Sequence, residues 1–412
     1  MKFVRAILVA FFLWTAAFAQ EPKSVTVPIT LDHNRIVIDV YLPLPDGSSK
    51  RVRGLVDTAA TEMTTSQRVG ELFGPVKCDA QTCETTLPPE IQIGGMKIPL
   101  ERMQTAHAPA GIPKDVMVAG MSPEINLPAA VLRNYDVVLD YATRQFTIGA
   151  PGSVKFQGTP TKARVNPTGL IDITGQLQDE QLRFALDTGS PINFLDSERL
   201  AKWRAAHSTW PYLKGAVGAA NVTGSPDEAE RELLRIPDFQ VGTAALSGIA
   251  FASLPPAALT ELNERVGADT NGLLGGEAFR NCRVGIDYAH QTVYLDIVSH
   301  NPAPDVDVVG LTLHPTVNGH FTVSAILSID GKSTVPDVSA GDVLVGVDGA
   351  PVTGATLGQV WSLLSGTPGQ SRALTLERDG KIFTVNAPVH RFLPLKSGVP
   401  VKSPRRNPHR RN

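Results

Sequence analysis

Phe184-Ala185-Leu186-Asp187-Thr188-Gly189-Ser190 decides the fold of this chain, because a near copy, Leu55-Val56-Asp57-Thr58-Ala59-Ala60-Thr61, stands earlier in it. Each places an aspartate after an apolar run and before a turn of small residues. A carboxylate at the tip of such a turn needs backbone N–H donors close by, and glycine lets the turn approach without a Cβ clash. Two carboxylates brought to about 3 Å cannot both ionise cheaply, so one proton is shared between them. The charged member of such a pair can take a proton from water while the protonated member donates to the group under attack. Asp57 and Asp187 are therefore the expected catalytic pair. Thr58 and Thr188 are expected to hydrogen-bond across and lock the two turns together, with Gly189 allowing the close approach.

The two copies are not identical. Ala59 stands where the second copy has Gly189. A negative φ at Ala59 tolerates the methyl group, whereas a positive φ would strain the turn by ~1–2 kcal/mol and displace the carboxylate. Ser190 has no counterpart in Ala60. Its hydroxyl is expected to donate to Asp187 and favour the charged form, which makes Asp187 the general base and Asp57 the protonated member of a coupled pair.

Three further landmarks recur around these motifs in the same order. Ile91-Gln92-Ile93-Gly94-Gly95 answers to Phe239-Gln240-Val241-Gly242-Thr243. Val118-Ala119-Gly120 answers to Leu273-Leu274-Gly275, and Val138-Leu139-Asp140-Tyr141 to Gly285-Ile286-Asp287-Tyr288. The chain is a divergent internal duplication, about Thr26 to Ala150 and Ala163 to Val298. Alternating stretches such as Val25 to Leu31 and Gln145 to Ile148 read as strands, and helical periodicity is confined mainly to Ser197–Ala206 and Pro256–Val266. A Pro- and Asp-rich linker, His300 to Val309, leads to a third unit with strands, a helix over Leu357–Leu364 and further strands to about Val389. A basic, proline-containing tail closes the chain and reads as disordered.

Composition bounds the rest. The 412 residues exceed one ordinary domain, and 38 basic against 40 acidic residues give no pull toward nucleic acid. The start of the chain, with Lys2 and Arg5 before an apolar run and Ala17-Phe18-Ala19, reads as a secretory signal. An uncleaved anchor is the alternative, though the run is short for a membrane span. No later segment is long and apolar enough to span. Cys78 and Cys83 are expected to pair in an oxidising compartment, two free thiols being the alternative, and Cys282 reads as a buried structural thiol. There is no His-Glu-x-x-His, no Gly-x-Ser-x-Gly and no phosphate-binding loop. Asn221-Val222-Thr223 is a formal glycosylation triplet.

The paired Asp-Thr motifs with Gly272-Leu273-Leu274-Gly275 resemble the aspartic peptidases of the pepsin and retroviral type, particularly the bacterial retropepsin-like proteins with two copies in one chain. The resemblance covers about Thr26 to Val298. It implies a mainly β fold of two lobes forming a pseudo-dimer, a polypeptide substrate extended in the cleft between them, and no cofactor or metal. It also implies supporting segments at Leu273-Leu274-Gly275 and Val118-Ala119-Gly120 and a flap, for which Gly215 to Gly224 is the candidate. Two lobes in one chain remove the need to dimerise, so a monomer is expected.

The third unit, with Ser339-Ala340-Gly341-Asp342 running into Val343 to Gly349 and then Gly366-Thr367-Pro368-Gly369, resembles a PDZ domain of the bacterial protease-associated kind. That α+β fold implies a sheet edge beside a helix where a peptide adds as a strand. Gly310, Leu311, Thr312 and Leu313 are the candidate substrate-binding residues, and a structural appendage packed on the lobes is the alternative. The expected boundaries are 1–19 for the signal, 20–155 and 156–300 for the lobes, 301–390 for the PDZ-like unit and 391–412 for the tail. The expected function is that of a secreted or periplasmic aspartic endopeptidase. The alternatives are a catalytically impaired scaffold that only binds peptides and, more weakly, a structural envelope protein.

Overall fold

The computed structural model describes residues 22–101, 103–299 and 306–394. The signal segment and most of the basic tail lie outside them. Among the described residues no helix is long and apolar enough to cross a membrane.

The chain is mainly β, as its alternating pattern requires. Two β lobes share one antiparallel sheet of six strands. Its spatial order is Ser24–Pro28, Gln145–Gly149, Asp136–Asp140, Cys282–Asp287, Thr292–Ile297 and Thr159–Val165. The two central strands come one from each lobe, and Val138 faces Gly285 across them. These residues stand 147 positions apart, the same spacing as Asp140 and Asp287. Each is therefore the other's equivalent in the duplication, and a pseudo-twofold axis passes between them. Arg283 Nε closes this seam with a 2.8 Å bond to Asp140, whose side chain is buried.

Each lobe hangs its motif on the end of a strand held by a parallel neighbour. In the first lobe Ser49–Asp57 lies between Arg35–Pro43 and Ile125–Pro128, with Pro128 beside Asp57. In the second, Glu180–Leu186 lies between Ile171–Leu177 and Gly272–Leu274, with Leu274 beside Leu186. Phe184, behind the second turn, packs its ring 5.4 Å from Phe239 and 5.6 Å from Phe251, all three fully buried. Burial of such side chains contributes about 1.5–3 kcal/mol each, so the strand that carries Asp187 is anchored from below.

The helices expected at Ser197–Ala206 and Pro256–Val266 are present. So is Leu357–Leu364 in the third unit. There the Thr356 hydroxyl accepts from Gln359 N while the Gln359 side chain accepts from Thr356 N, a reciprocal cap. Leu357, Val360, Trp361 and Leu364 make its buried stripe.

The third unit has a sheet in the order Asp307–Val309, Lys381–Arg391, Ser371–Arg378, Val343–Val347, Phe321–Ile326 and Leu311–Pro315. Two expected boundaries move. The linker is shorter than expected, because Asp307–Val309 is a strand paired with residues 389–391. The tail begins later than residue 391, because Arg391 ion-pairs with Asp307 at 2.8 Å and Phe392 and Leu393 are buried.

Candidate active site

The two turns meet on the pseudo-twofold axis through their threonines. Thr58 Oγ1 donates to Leu186 O at 2.7 Å, and Thr188 Oγ1 donates to Val56 O at 2.7 Å. Each hydroxyl also accepts from the other threonine's backbone: Thr188 N to Thr58 Oγ1 at 3.1 Å and Thr58 N to Thr188 Oγ1 at 3.2 Å. Both side chains are fully buried. Four buried polar groups of two lobes are satisfied by two hydroxyls, so the turns cannot separate without orphaning them.

The aspartates project from these locked turns. Asp57 Oδ1 accepts from Ala59 N at 3.0 Å, and Asp187 Oδ1 accepts from Gly189 N at 2.9 Å and Ser190 N at 3.1 Å. Burial lifts the Asp57 carboxyl above the usual carboxylate range. Burial and then the charge of Asp57 push Asp187 up to about 7. The two titrate as a coupled pair that shares one proton in the mildly acid range.

The hydroxyl contact expected to favour the charged form of Asp187 is absent. The Ser190 hydroxyl does not reach Asp187; it donates to Ile192 O at 2.7 Å and braces its own turn. Only the Ser190 backbone N–H serves the carboxylate.

Ala59 and Gly189 differ for a steric reason. Neither has a positive φ, so Ala59 carries no left-handed strain. A Cβ added at Gly189 would stand 2.7 Å from Asp57 Cγ, so glycine is required there by the approach of the other carboxylate.

The supporting segment of the first lobe is not Val118-Ala119-Gly120. Val118 is exposed, and Gly120 O accepts from Leu357 N of the third unit. Asn126-Leu127-Pro128 lies beside the first turn instead. The bonds at the two turns match: Ala129 N donates to Ala60 O, and Gly276 N to Ser190 O, both at 2.9 Å. Proline replaces the glycine that the pattern sought, which hid the segment.

Three site residues had no local signature. Arg35, buried at the tip of a tight hairpin, donates from Nε to Gly189 O at 2.8 Å, and its charge is felt by both aspartates. Its neighbour Asn34 donates to Pro191 O. Asn193, fully buried, accepts from Gly275 N and donates to Glu277, fixing the second supporting segment. The one visible hint was a polar side chain inside the apolar run Ile192 to Leu195.

Cys78 and Cys83 are joined in a disulfide at the tip of a short hairpin, Lys77–Cys78 with Thr82–Thr86. Cys282 is buried, and burial pushes its thiol up to about 12, so it is inert. Asn221 is fully buried and bonded through its amide nitrogen, so the triplet there presents no acceptor in the folded chain.

Gly310, Leu311, Thr312 and Leu313 are all buried. The open edge expected there is closed by the second lobe: Thr312 Oγ1 donates to Ala216 O at 2.7 Å, and Leu313 N to Asn221 Oδ1 at 2.8 Å. The flap candidate Gly215 to Gly224 is thus mostly buried, with Thr223 exposed.

No family model matches the chain, and no curated protein matches it. Among solved structures, the aspartic proteinase from Irpex lacteus is similar at 15% identity and a TM-score of 0.40. The match covers 68% of this chain and 100% of that one.

Proposed function

We propose that this chain is an aspartic endopeptidase that hydrolyses extended polypeptide in the cleft between its lobes. One observation carries the reading: two carboxyls, both lifted by burial and one further by the other's charge, stand on turns locked by reciprocal threonine bonds. A structural aspartate is normally paired with a cation or fully hydrogen-bonded, whereas a mutually repelling pair at a lobe junction is costly unless it works.

In this mechanism a water lies between the carboxyls. The charged member of the pair takes its proton as the oxygen attacks the peptide carbonyl. The protonated member donates its proton to the carbonyl oxygen, giving a neutral tetrahedral diol. Collapse returns a proton to the leaving amine, with no covalent intermediate. Arg35 holds Gly189 and thereby the second turn, and the charges of Arg265 and then Arg35 favour ionisation of Asp57.

The proposal includes export to the periplasm or the exterior, in keeping with the signal-like start and the Cys78–Cys83 disulfide. It also takes the chain to act as a monomer and to need no metal or cofactor. The test is hydrolysis of a denatured protein mixture from about pH 3 to about pH 8 by the mature chain and by Asp187→Asn. Cleavage that vanishes in the variant supports the dyad. Absence of cleavage by the folded wild-type chain refutes the reading.

A further inference from the structure

The edge strand Leu311–Pro315 of the third unit already has a partner. Its Leu313 is bracketed by one side chain: Asn221 Oδ1 accepts from Leu313 N at 2.8 Å, and Asn221 Nδ2 donates to Leu313 O at 3.0 Å. A carboxamide here does what a neighbouring strand would do. Thr312 Oγ1 adds the bond to Ala216 O. Gly224 comes closer still, because a Cβ there would stand 2.0 Å from Leu313 O and its φ is +72°. Only glycine fits.

The segment is held from its other side as well. Glu228, fully buried, accepts from Val222 N, Thr223 N, Gly224 N and Asn221 Nδ2. Ala216, Val217, Ala220 and Asn221 have no exposed surface. Val217 and Ala220 share one apolar cluster with Leu311, Leu313 and Trp361 of the third unit.

The first lobe completes the clasp. Asp32 accepts from Thr356 Oγ1 at 2.8 Å, at the start of the third unit's helix. His33 Nε2 lies 2.8 Å from Gly218 O. Burial and Arg35 lower His33 to about 3, so the ring is neutral and donates from Nε2. The same hairpin carries Arg35, which holds Gly189 beside the dyad. The segment 215–224 is thus tied to the third unit on one side and, through His33 and Arg35, to the catalytic turn on the other.

We propose that the resident partner of the third unit's edge strand is this chain's own segment 215–224, and that the third unit is a fixed part of the lobes' framework rather than a receptor for a separate peptide at that edge. The surface fits a compact run of small residues ending in asparagine, since the segment turns as a short 3-10 helix at Gly218–Ala220 and is not an added strand. An external peptide must first expel Asn221 from Leu313, which leaves buried polar groups unpaired on both sides.

The experiment uses the full chain and two readouts. Hydrogen exchange at Leu313 and at residues 222–224 is compared between wild type and Thr312→Val, a near-isosteric change that removes the bond to Ala216. A labelled synthetic peptide spanning residues 214–225 is titrated onto wild type and onto Asn221→Leu. The proposal expects exchange faster by about tenfold in Thr312→Val, no peptide binding by wild type and measurable binding by Asn221→Leu. Should Asn221→Leu fail to fold, the exchange comparison and the wild-type titration decide alone. Peptide binding by wild type, or unchanged exchange in Thr312→Val, overturns the proposal. Neither arm needs turnover, so failure of the peptidase reading and failure of this one are seen separately.

Discussion

Thr58→Val tests the reciprocal lock directly. Valine keeps the shape of threonine, so packing in this fully buried place is preserved. What is lost is the hydroxyl that donates to Leu186 O and accepts from Thr188 N. Each orphaned buried group costs about 1–3 kcal/mol. With some relaxation of the turns, the expected loss is about 2–4 kcal/mol, or roughly 5–15 °C in Tm for a unit of this size. Thr58→Ser keeps both bonds and gives up one methyl group, so it should lose only about 1 kcal/mol. Urea unfolding followed by tryptophan fluorescence measures the difference, and hydrolysis of a denatured protein measures the effect on the dyad. The valine variant should also lose at least tenfold in kcat, because the Asp187 turn is no longer held to its partner. A stability loss under about 0.5 kcal/mol, or equal losses in the valine and serine variants, would refute the argument that these bonds hold the lobes together.

Further outcomes follow from the dyad. Asp187 has a folded pKa raised above its unfolded value, so its own contribution to stability falls as pH rises from about 4 to about 7 and is level above that. Asp187→Asn should therefore abolish hydrolysis yet melt higher than wild type near pH 7, with the gap closing near pH 4; thermal melts across pH check it. The pH–rate profile of the wild-type chain should fall on its alkaline side near 7. Gly189→Ala should cost a hundredfold or more in kcat with the fold intact, since its methyl meets Asp57 Cγ, while Ala59→Gly should change kcat less than about threefold. Arg35→Met removes a cation that lowers Asp57, so the acid limb of the profile should move upward by a few tenths to about one pH unit; an unmoved limb denies Arg35 that role.

The parts of the fold visible in the sequence were those written in local pattern. Asp57 and Asp187 announced themselves through their apolar runs, and Asp140 and Asp287 marked segments that recur in the two halves, though not that these segments pair with each other. The helix at Leu357–Leu364 was legible ahead of the break at Gly366-Thr367-Pro368-Gly369. Pro128 was missed because proline stands where glycine was sought. Arg35 was missed because a charged residue in a turn reads as solvated until another lobe closes over it. The Ser190 hydroxyl was misassigned because it donates instead to the carbonyl of Ile192, two residues on. The occupied edge at Leu313 depends on residues 92 positions apart in the chain, a pairing that no window of sequence displays.

The shared six-stranded sheet has a consequence for how the protein is made. Asp136–Asp140 leaves the ribosome long before its neighbour Cys282–Asp287 exists. At ordinary rates of synthesis that interval is roughly 10–30 s. Throughout it the first half carries an unpaired, apolar strand edge whose natural complement is the second half. A sister chain at the same stage offers the same edge, and antiparallel pairing of the two would imitate the native seam. The nascent first half is thus the aggregation-prone species, and its rescue is the arrival of its own sequel.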